Sequence, residues 1–258
     1  MKTPVRHLRC LALLSLLALP TALWAQTVWS LAGDWSNSSN PNGVWKLTNN
    51  GTAFTNQYNY HDASLGTPVQ AWAKAAGAVW NDPTDQLPAW YRAVVAHDGG
   101  CDYQVGDIYV HPPYSAGGYT SAIWQSPISG SVSVSGSIWG LLSFLGRTND
   151  WGIYVNGSLV SSGTVSDSSS SRAAPVFLYS GTGGAGALSA IAVGLNDTIE
   201  LRIWQDLSSP YPSPNGLSLT VTSAVPEPAT SALLLGLGTL GVGLWRLRGR
   251  SRSIPAAE

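Results

Sequence analysis

Between Gln26 and Ala224, apolar and polar residues alternate in short runs bounded by Gly, Ser, Asn and Pro. The clearest run is Ser131–Trp139, in which Val132, Val134 and Ile138 alternate with small polar residues. A period of two places alternate side chains on opposite faces of a β-strand, one packed inward and one solvated. No convincing apolar pattern of period 3.6 occurs in this region. The pattern therefore predicts an all-β domain.

Two further runs, Trp151–Val155 and Ser158–Val160, are separated by Asn156-Gly157. A type I′ turn needs positive φ at both central residues, and Asn-Gly meets that need best. This segment therefore predicts a tight β-hairpin.

The remaining chain adds more short strands with long Gly- and Ser-rich connections. This pattern predicts a two-sheet antiparallel sandwich of the jelly-roll type. These strands are predicted at Tyr91–Ala96, Ile108–His111, Ser121–Gln125, Pro175–Tyr179, Thr198–Gln205 and Leu217–Thr222. A short helix is expected within Thr67–Ala78. Composition predicts flexible surface loops at Val165–Arg172 and Ser180–Ala187.

Residues 1–25 have the three parts of a secretory signal peptide. Lys2, Arg6 and Arg9 precede an apolar run, and the segment ends at Ala25. Cleavage before Gln26 leaves residues 26–224 as the β-sandwich ectodomain. The chain is therefore expected to be exported.

The last part of the chain, residues 225–258, has a different pattern. Residues 229–245 carry no charge and are long enough for a transmembrane helix. An arginine-rich tail follows, consisting of Arg246, Arg248, Arg250 and Arg252. Positive charge favours the cytoplasmic side, so the ectodomain is expected outside the membrane.

Val225, Pro226, Glu227 and Pro228 stand directly before this apolar stretch. The order of Pro-Glu-Pro, apolar helix and arginine cluster resembles the PEP-CTERM sorting signal of Gram-negative bacteria. That resemblance implies processing by an exosortase, a membrane transpeptidase that cuts near the tripeptide. It further implies that the protein is located at the cell surface or in the extracellular matrix. Before processing, the C-terminal helix would anchor it in the membrane.

The ectodomain also resembles a recurring ectodomain of PEP-CTERM proteins, similar in outline to galactose-binding-like jelly rolls. The resemblance is carried by turn and strand motifs: Asn40-Pro-Asn-Gly-Val-Trp45, Val110-His-Pro112, Ser131-Val-Ser-Val-Ser-Gly-Ser137, Tyr154-Val-Asn-Gly157, Leu195-Asn-Asp-Thr-Ile199 and Asn215-Gly-Leu-Ser-Leu219. These motifs bear on fold more than on function.

Charge and cysteine content narrow the possible partners. Residues 26–224 hold six lysines and arginines against twelve aspartates and glutamates, so binding to nucleic acid through charge is not expected. Cys101 is the only cysteine after the signal peptide, which excludes an internal disulfide in the mature chain. It is interpreted as a turn residue, with an intermolecular bridge as the alternative.

The sequence offers little for catalysis. It lacks the nucleophile motif G-x-S-x-G and any His or Cys spacing typical of zinc sites. His111, before Pro112, is interpreted as a turn or strand-end residue with a hydrogen-bonded ring. A glycan hydrolase would need a pair of carboxylates in one cleft, for which the candidates are Asp150, Asp197, Glu200 and Asp206. We therefore expect a non-catalytic protein without a required cofactor.

Calcium is the one metal that the sequence leaves open. An oxygen-rich stretch near the mature N-terminus consists of Asp34, Asn37, Asn40 and Asn42. Carboxylate and amide oxygens suit calcium, although no EF-hand loop pattern is present. Ordinary loop hydrogen bonding is the alternative interpretation of these four residues.

The tryptophans are the remaining candidates for ligand binding, because an exposed indole can stack on a sugar ring. Trp139, Trp151 and Trp204 lie on predicted strands and are expected in the core. Trp72, Trp80 and Trp90 lie in a less regular region and are the candidates for glycan stacking. The leading hypothesis is a non-catalytic surface or matrix protein associated with exopolysaccharide or biofilm. A carbohydrate-binding module is the alternative, and a glycan hydrolase ranks below both.

Overall fold

The structure, a computed structural model, describes residues 26–61, 68–74, 87–94, 96 and 101–224. Residues 27–224 form one compact unit. Its strands, numbered in chain order, are β1 (Val28–Ser30), β2 (Trp45–Asn49), β3 (Thr52–Ala53), β4 (Asn56–His61), β5 (Pro68–Ala73), β6 (Ala89–Arg92), β7 (Ile108–His111), β8 (Tyr119–Gln125), β9 (Gly130–Gly140), β10 (Thr148–Val155), β11 (Ser158–Ser166), β12 (Val176–Phe177), β13 (Ile191–Val193), β14 (Thr198–Gln205) and β15 (Asn215–Ser223). A 3-10 turn spans Leu178–Ser180, and one helical turn, α1, spans Gly184–Ala187.

The described strands form two antiparallel sheets. The nine-stranded sheet has the order β12-β9-β15-β7-β6-β5-β4, with β1 beside β15 and β13 beside β9. The six-stranded sheet has the order β11-β10-β14-β8-β2-β3. The predicted all-β, two-sheet antiparallel sandwich is confirmed.

The chain passes repeatedly from one sheet to the other. From β8 to β15, the six-stranded sheet contains β8, β10, β11 and β14, and the nine-stranded sheet contains β9, β12, β13 and β15. Such alternation is typical of jelly-roll sandwiches. Loops that join the sheets therefore gather at the two ends of the sandwich.

The main core lies between the sheets and follows from the alternation seen in the sequence. On β9, Val132, Val134 and Ile138 are buried, while Ser131 and Ser133 are only half-buried and Ser135 is exposed. Facing them from the six-stranded sheet are fully buried residues of β8, β10 and β14, namely Trp124, Trp151, Ile153, Ile199, Leu201 and Ile203. Burying each of these large side chains contributes about 1.5–3 kcal/mol.

A second, smaller core covers the opposite face of the nine-stranded sheet. Tyr91 and Tyr109 stack with ring centroids 4.7 Å apart, and Tyr103 stacks on Tyr109 at 5.3 Å. Trp139 and Leu142 are buried in the same cluster. Cys101 and Tyr103 before β7, and Leu141 and Leu142 after β9, therefore pack against this face of the sheet.

Two local expectations are wrong. The segment predicted as a helix within 67–78 contains β5, which pairs with β4 on one side and β6 on the other. Sheet pairing outweighs the helix propensity of its alanines here. The segment 165–172 is not a flexible surface loop. Val165 lies near the end of β11 and is buried in the core, and Asp167 and Ser170 are buried as well.

Candidate functional site

The outward face of the six-stranded sheet carries aromatic and charged residues. On β14, Ile199, Leu201 and Ile203 are buried, so the alternate residues point away from the core. These are Glu200, Arg202 and Trp204. The strand register places Asp150, Gly152 and Tyr154 of β10 and Tyr119 of β8 beside them on the same face.

Arg202 lies between two tyrosines. Its guanidinium carbon is 4.5 Å from the ring centroid of Tyr119 and 4.0 Å from that of Tyr154. Arg202 Nη2 also donates to Glu200 Oε2 over 2.8 Å. This hydrogen bond raises the pKa of Arg202, so the guanidinium is charged at all physiological pH values. Cation–π and ion-pair contacts together fix its position.

Trp204 lies across the sheet above a glycine. A Cβ atom placed on Gly152 would be 3.3 Å from Trp204 Cη2, 3.0 Å from Tyr154 Cε2 and 3.0 Å from Leu159 Cδ1. The absence of a side chain at position 152 lets these three groups converge over the backbone. Trp204 is half-buried and Leu159 is exposed, so the convergence lies at the surface.

Asp150 lies beside Trp204 on the outward face of the sheet. It is the cross-strand partner of Trp204 in the pairing of β10 with β14. Burial and the neighbouring charge of Asp206 raise the pKa of Asp150, and the nearby Trp204 side chain opposes that rise. The pairing therefore places an acidic group next to the indole.

We call Tyr119, Tyr154, Arg202 and Trp204 the aromatic platform. Glu200 Oε1 and Arg202 Nε are buried beneath it without a hydrogen-bond partner among the described residues. Buried polar groups without a partner cost free energy. Rings of this kind offer flat apolar faces, and the charged groups offer hydrogen bonds to hydroxyls.

The tryptophans that the sequence favoured for stacking lie elsewhere. Trp72 is 5% exposed, and its indole nitrogen donates to the Ser36 carbonyl over 2.9 Å. Trp90 is fully buried and donates to Thr120 Oγ1 over 2.7 Å. Neither ring presents a face to solvent, because both pack into the core from the nine-stranded sheet; this corrects their assignment as stacking residues. Trp80 lies outside the described residues.

The platform tryptophan was missed because Trp204 was assigned to the core. The signal was nevertheless present in the sequence. In the run Thr198–Gln205, three branched apolar residues occupy every second position, and Trp204 falls in the alternate set with Glu200 and Arg202. Strict alternation therefore places Trp204 outward. Trp139 and Trp151 are buried as expected.

The oxygen-rich stretch near the N-terminus builds a loop. Its side-chain oxygens accept hydrogen bonds from within the same segment and from β2: Asp34 from Ser30 N and Trp45 Nε1, Asn37 from Trp35 Nε1, and Asn40 from Leu47 N. The Asn42 side chain donates to the Asp34 carbonyl. Across the described chain, no group of three or more His, Cys, Asp and Glu residues is placed to hold a metal ion.

His111 ends β7, as the sequence predicted, and it is buried. A ring nitrogen, Nδ1, lies 2.8 Å from the Pro112 carbonyl oxygen. Burial lowers the pKa of His111 to about 4, so the ring is neutral at physiological pH. The residue supports the end of the sandwich.

The predicted sorting signal lies beyond the described residues, as do the signal peptide, the apolar stretch 229–245 and the arginine-rich tail. In the portion that is described, no helix has the length and hydropathy needed to cross a membrane.

Comparison with known proteins bears on the C-terminal part. Residues 224–249 match the family model of the PEP-CTERM protein-sorting motif. No curated protein matches the sequence. A solved structure with similarity is the carbohydrate-binding module CBM36 in complex with calcium and xylotriose, at 16% identity and a TM-score of 0.25, covering 44% of this chain and 79% of that chain. A similarity at this level carries no argument about ligand or metal. The chain is an exported protein that carries a PEP-CTERM sorting motif at residues 224–249, the signal for exosortase processing.

Proposed function

We propose that this chain is a non-catalytic protein of the cell surface or extracellular matrix that associates with exopolysaccharide or biofilm material. The ectodomain binds glycan through the aromatic platform. The apolar segment 229–245 anchors the chain in the membrane until exosortase processing.

The observation that carries the proposal is the outward indole of Trp204 beside the other platform residues. Asp150 lies next to it on the neighbouring strand, and Gly152 leaves room for the ring over the backbone. Contiguous apolar surface that is rimmed by polar residues is a common feature of binding sites. Trp, Tyr and Arg are also the residues that most often anchor binding surfaces.

The shape of the ligand follows from the platform. Trp204 extends over Gly152 at the surface of the sheet, and a pyranose ring can stack its axial C–H bonds on an indole face. Hydroxyl groups at the edge of the sugar would meet the carboxylate of Asp150 and the guanidinium of Arg202. A glycan chain running across β10 and β14 satisfies both requirements.

A glycan hydrolase is the second candidate, and one observation favours it. Asp150 and Asp206 interact electrostatically next to Trp204, and the pKa of Asp150 is raised. Hydrolysis of glycosidic bonds uses two carboxyl groups, one of them with a raised pKa. A measurement of reducing ends distinguishes the two candidate functions. Only a hydrolase would release new reducing ends from the bound glycan, and Asp150→Asn would abolish that release.

The test uses cells that produce both the protein and exopolysaccharide. The fraction of the protein that co-purifies with the polysaccharide is measured for the wild type and for Trp204→Ala. The matched control is Tyr179→Ala, because Tyr179 is 55% exposed and follows β12 of the other sheet. We expect Trp204→Ala to move from the polysaccharide to the soluble fraction and Tyr179→Ala to behave as wild type. If the polysaccharide retained all three proteins equally, the proposal that the aromatic platform binds glycan would be refuted.

A further inference from the structure

The surface loop between β14 and β15 is held from below by buried polar side chains. Asn149 is fully buried, and its Nδ2 atom donates to the Ser213 carbonyl over 2.5 Å and to Asn215 Oδ1 over 2.6 Å. Its Oδ1 atom accepts from Ser213 N over 3.2 Å. Both polar atoms of the Asn149 side chain therefore hold the end of the loop in place.

Three further hydrogen bonds secure the same loop. Ser213 Oγ donates to Asp167 Oδ2 over 2.5 Å, and Asp167 is only 2% exposed. Ser209 Oγ donates to the Tyr211 carbonyl over 2.9 Å. Gln205 Nε2 donates to the Ser209 carbonyl over 2.7 Å.

Buried polar groups are costly unless they find partners, and hydrogen bonds between them favour one conformation. Asp167 Oδ1 has no hydrogen-bond partner among the described residues, but Asn149, Ser213 and Ser209 are bonded as given above. A connection that only had to join β14 to β15 would not need this scaffold. Loops placed on a rigid support are common carriers of binding residues. The groups that the loop presents at the surface are therefore the place to look for a ligand.

The loop presents Tyr211, which is 54% exposed. The guanidinium carbon of Arg147 lies 5.2 Å from its ring centroid, and Arg147 Nη1 donates to the Pro212 carbonyl over 3.2 Å. Tyr114 lies edge-on to Tyr211 with ring centroids 6.2 Å apart and is 42% exposed. Three separate chain segments thus bring two exposed tyrosines and one arginine together.

Arg147 differs from the arginines nearby. Arg172 pairs with Asp107 at 2.8 Å and Arg202 with Glu200 at 2.8 Å. Arg147 forms no ion pair within 4 Å with any of the residues that the structure describes. It contacts the Tyr211 ring and the Pro212 carbonyl, and it interacts electrostatically with the buried Asp167 carboxyl. A guanidinium in this state keeps capacity for a carboxylate, which it binds through two parallel hydrogen bonds.

We propose that Tyr114, Arg147 and Tyr211 form a second glycan site, the loop site, that takes a carboxylated sugar of an acidic polysaccharide. The tyrosine rings hold the pyranose, and Arg147 binds its carboxylate. The loop site is distinct from the aromatic platform in its residues and in its charge preference. Each site can fail experimentally without the other.

The test is a binding measurement on the exported protein purified from the producing cells. The probes are an oligogalacturonate and, as the uncharged counterpart, a malto-oligosaccharide. Wild type is expected to prefer the oligogalacturonate, and Arg147→Gln and Tyr211→Ala to weaken that binding at least about tenfold, the loss expected for a charge-assisted contact.

Arg172→Gln and Tyr179→Ala are the matched controls, since each removes an exposed residue of the same type outside the loop site. Arg147→Lys keeps the charge but loses the paired hydrogen bonds, so it should also bind weakly, and it keeps the test valid if Arg147→Gln does not fold. The proposal is overturned if oligogalacturonate does not bind, if both probes bind equally, or if Arg147→Gln and Arg172→Gln lose affinity to the same extent.

Discussion

Trp204 lies over Gly152, with Trp204 Cη2 only 3.3 Å from the position that a Cβ atom on residue 152 would take. The two residues are on neighbouring strands, β14 and β10, and are diagonal to each other in the antiparallel register. The glycine is thus part of the surface on which the indole rests. The orientation of the platform depends on a residue that makes no polar contact with a ligand.

Replacing Gly152 tests this relationship. We expect Gly152→Ala to push the side chains of Trp204, Tyr154 and Leu159 outward, because a Cβ atom would meet all three within 3.3 Å. The fold should survive, since these side chains are at the surface. Glycan affinity should fall several-fold, and Trp204 fluorescence should shift toward that of a more exposed indole.

The control for this change is Gly186→Ala, because a Cβ atom on Gly186 would meet nothing within 4 Å. It removes a glycine from a helical turn without altering the platform. Unchanged affinity in Gly152→Ala would mean that the ring position is not set by the glycine.

Asn149 is expected to be the most important polar residue for stability at this end of the sandwich. Asn149→Ala leaves the Ser213 carbonyl and amide and the Asn215 side chain without their buried partner. The free energy of unfolding should fall by about 2–4 kcal/mol. Chemical denaturation measures this loss, with the exposed Asn37→Ala expected to change stability by less than about 0.5 kcal/mol. Equal effects of the two substitutions would contradict the scaffold.

Two buried groups should give the protein opposing responses to acid. Burial lowers the pKa of His111 to about 4, so between pH 6.5 and 4 the unfolded chain binds a proton that the folded chain excludes. Stability from this source falls as the pH falls. Burial also raises the pKa of Asp167 from 3.8 to about 6, so the folded chain binds its proton first. Stability from that source rises as the pH falls from about 6 to about 4.

The two contributions partly cancel in the wild type, and single substitutions expose them. Asp167→Asn should lose stability more steeply than wild type between pH 7 and 4.5, and His111→Gln less steeply. Each difference should reach about 1–2 kcal/mol, as measured by urea denaturation at several pH values. Parallel pH profiles for the three proteins would show that neither group is perturbed by burial.

Strand positions could be predicted where alternation is strict. The predicted strand Thr198–Gln205 begins and ends at the same residues as β14, because Ile199, Leu201 and Ile203 mark one face without interruption. The Asn156-Gly157 turn joins β10 to β11, with φ of 49° and 81° at its two residues, as a type I′ turn requires. Both signals are local, so sequence alone carries them.

The sites could not be predicted, because their contacts are long-range. Ser213 lies 46 residues from Asp167 and 64 from Asn149, and only the pairing of β10, β11 and β14 brings them together. Composition instead suggested that the segment around Asp167 is a flexible loop. Trp72 and Trp90 failed as stacking candidates for the same reason, since the irregular spacing of their segments concealed two paired strands, β5 and β6.

Processing at the sorting motif predicts a defined C-terminus. The native protein is produced in a host with and without its exosortase, and the C-terminal peptide from surface and membrane fractions is identified by mass spectrometry. A terminus near Pro226–Pro228 only in the presence of the enzyme is expected. An intact arginine-rich tail in both hosts would contradict processing and leave a permanently anchored sandwich.

The most direct test of the aromatic platform is calorimetric titration of the exported, purified protein with oligosaccharides prepared from the exopolysaccharide of its own producer. Wild type should bind, Trp204→Ala should bind at least about tenfold more weakly at equal thermal stability, and the oligosaccharides should be recovered uncleaved. Absence of binding by the wild type, or equal affinity of the two proteins, would contradict a glycan-binding platform at Trp204.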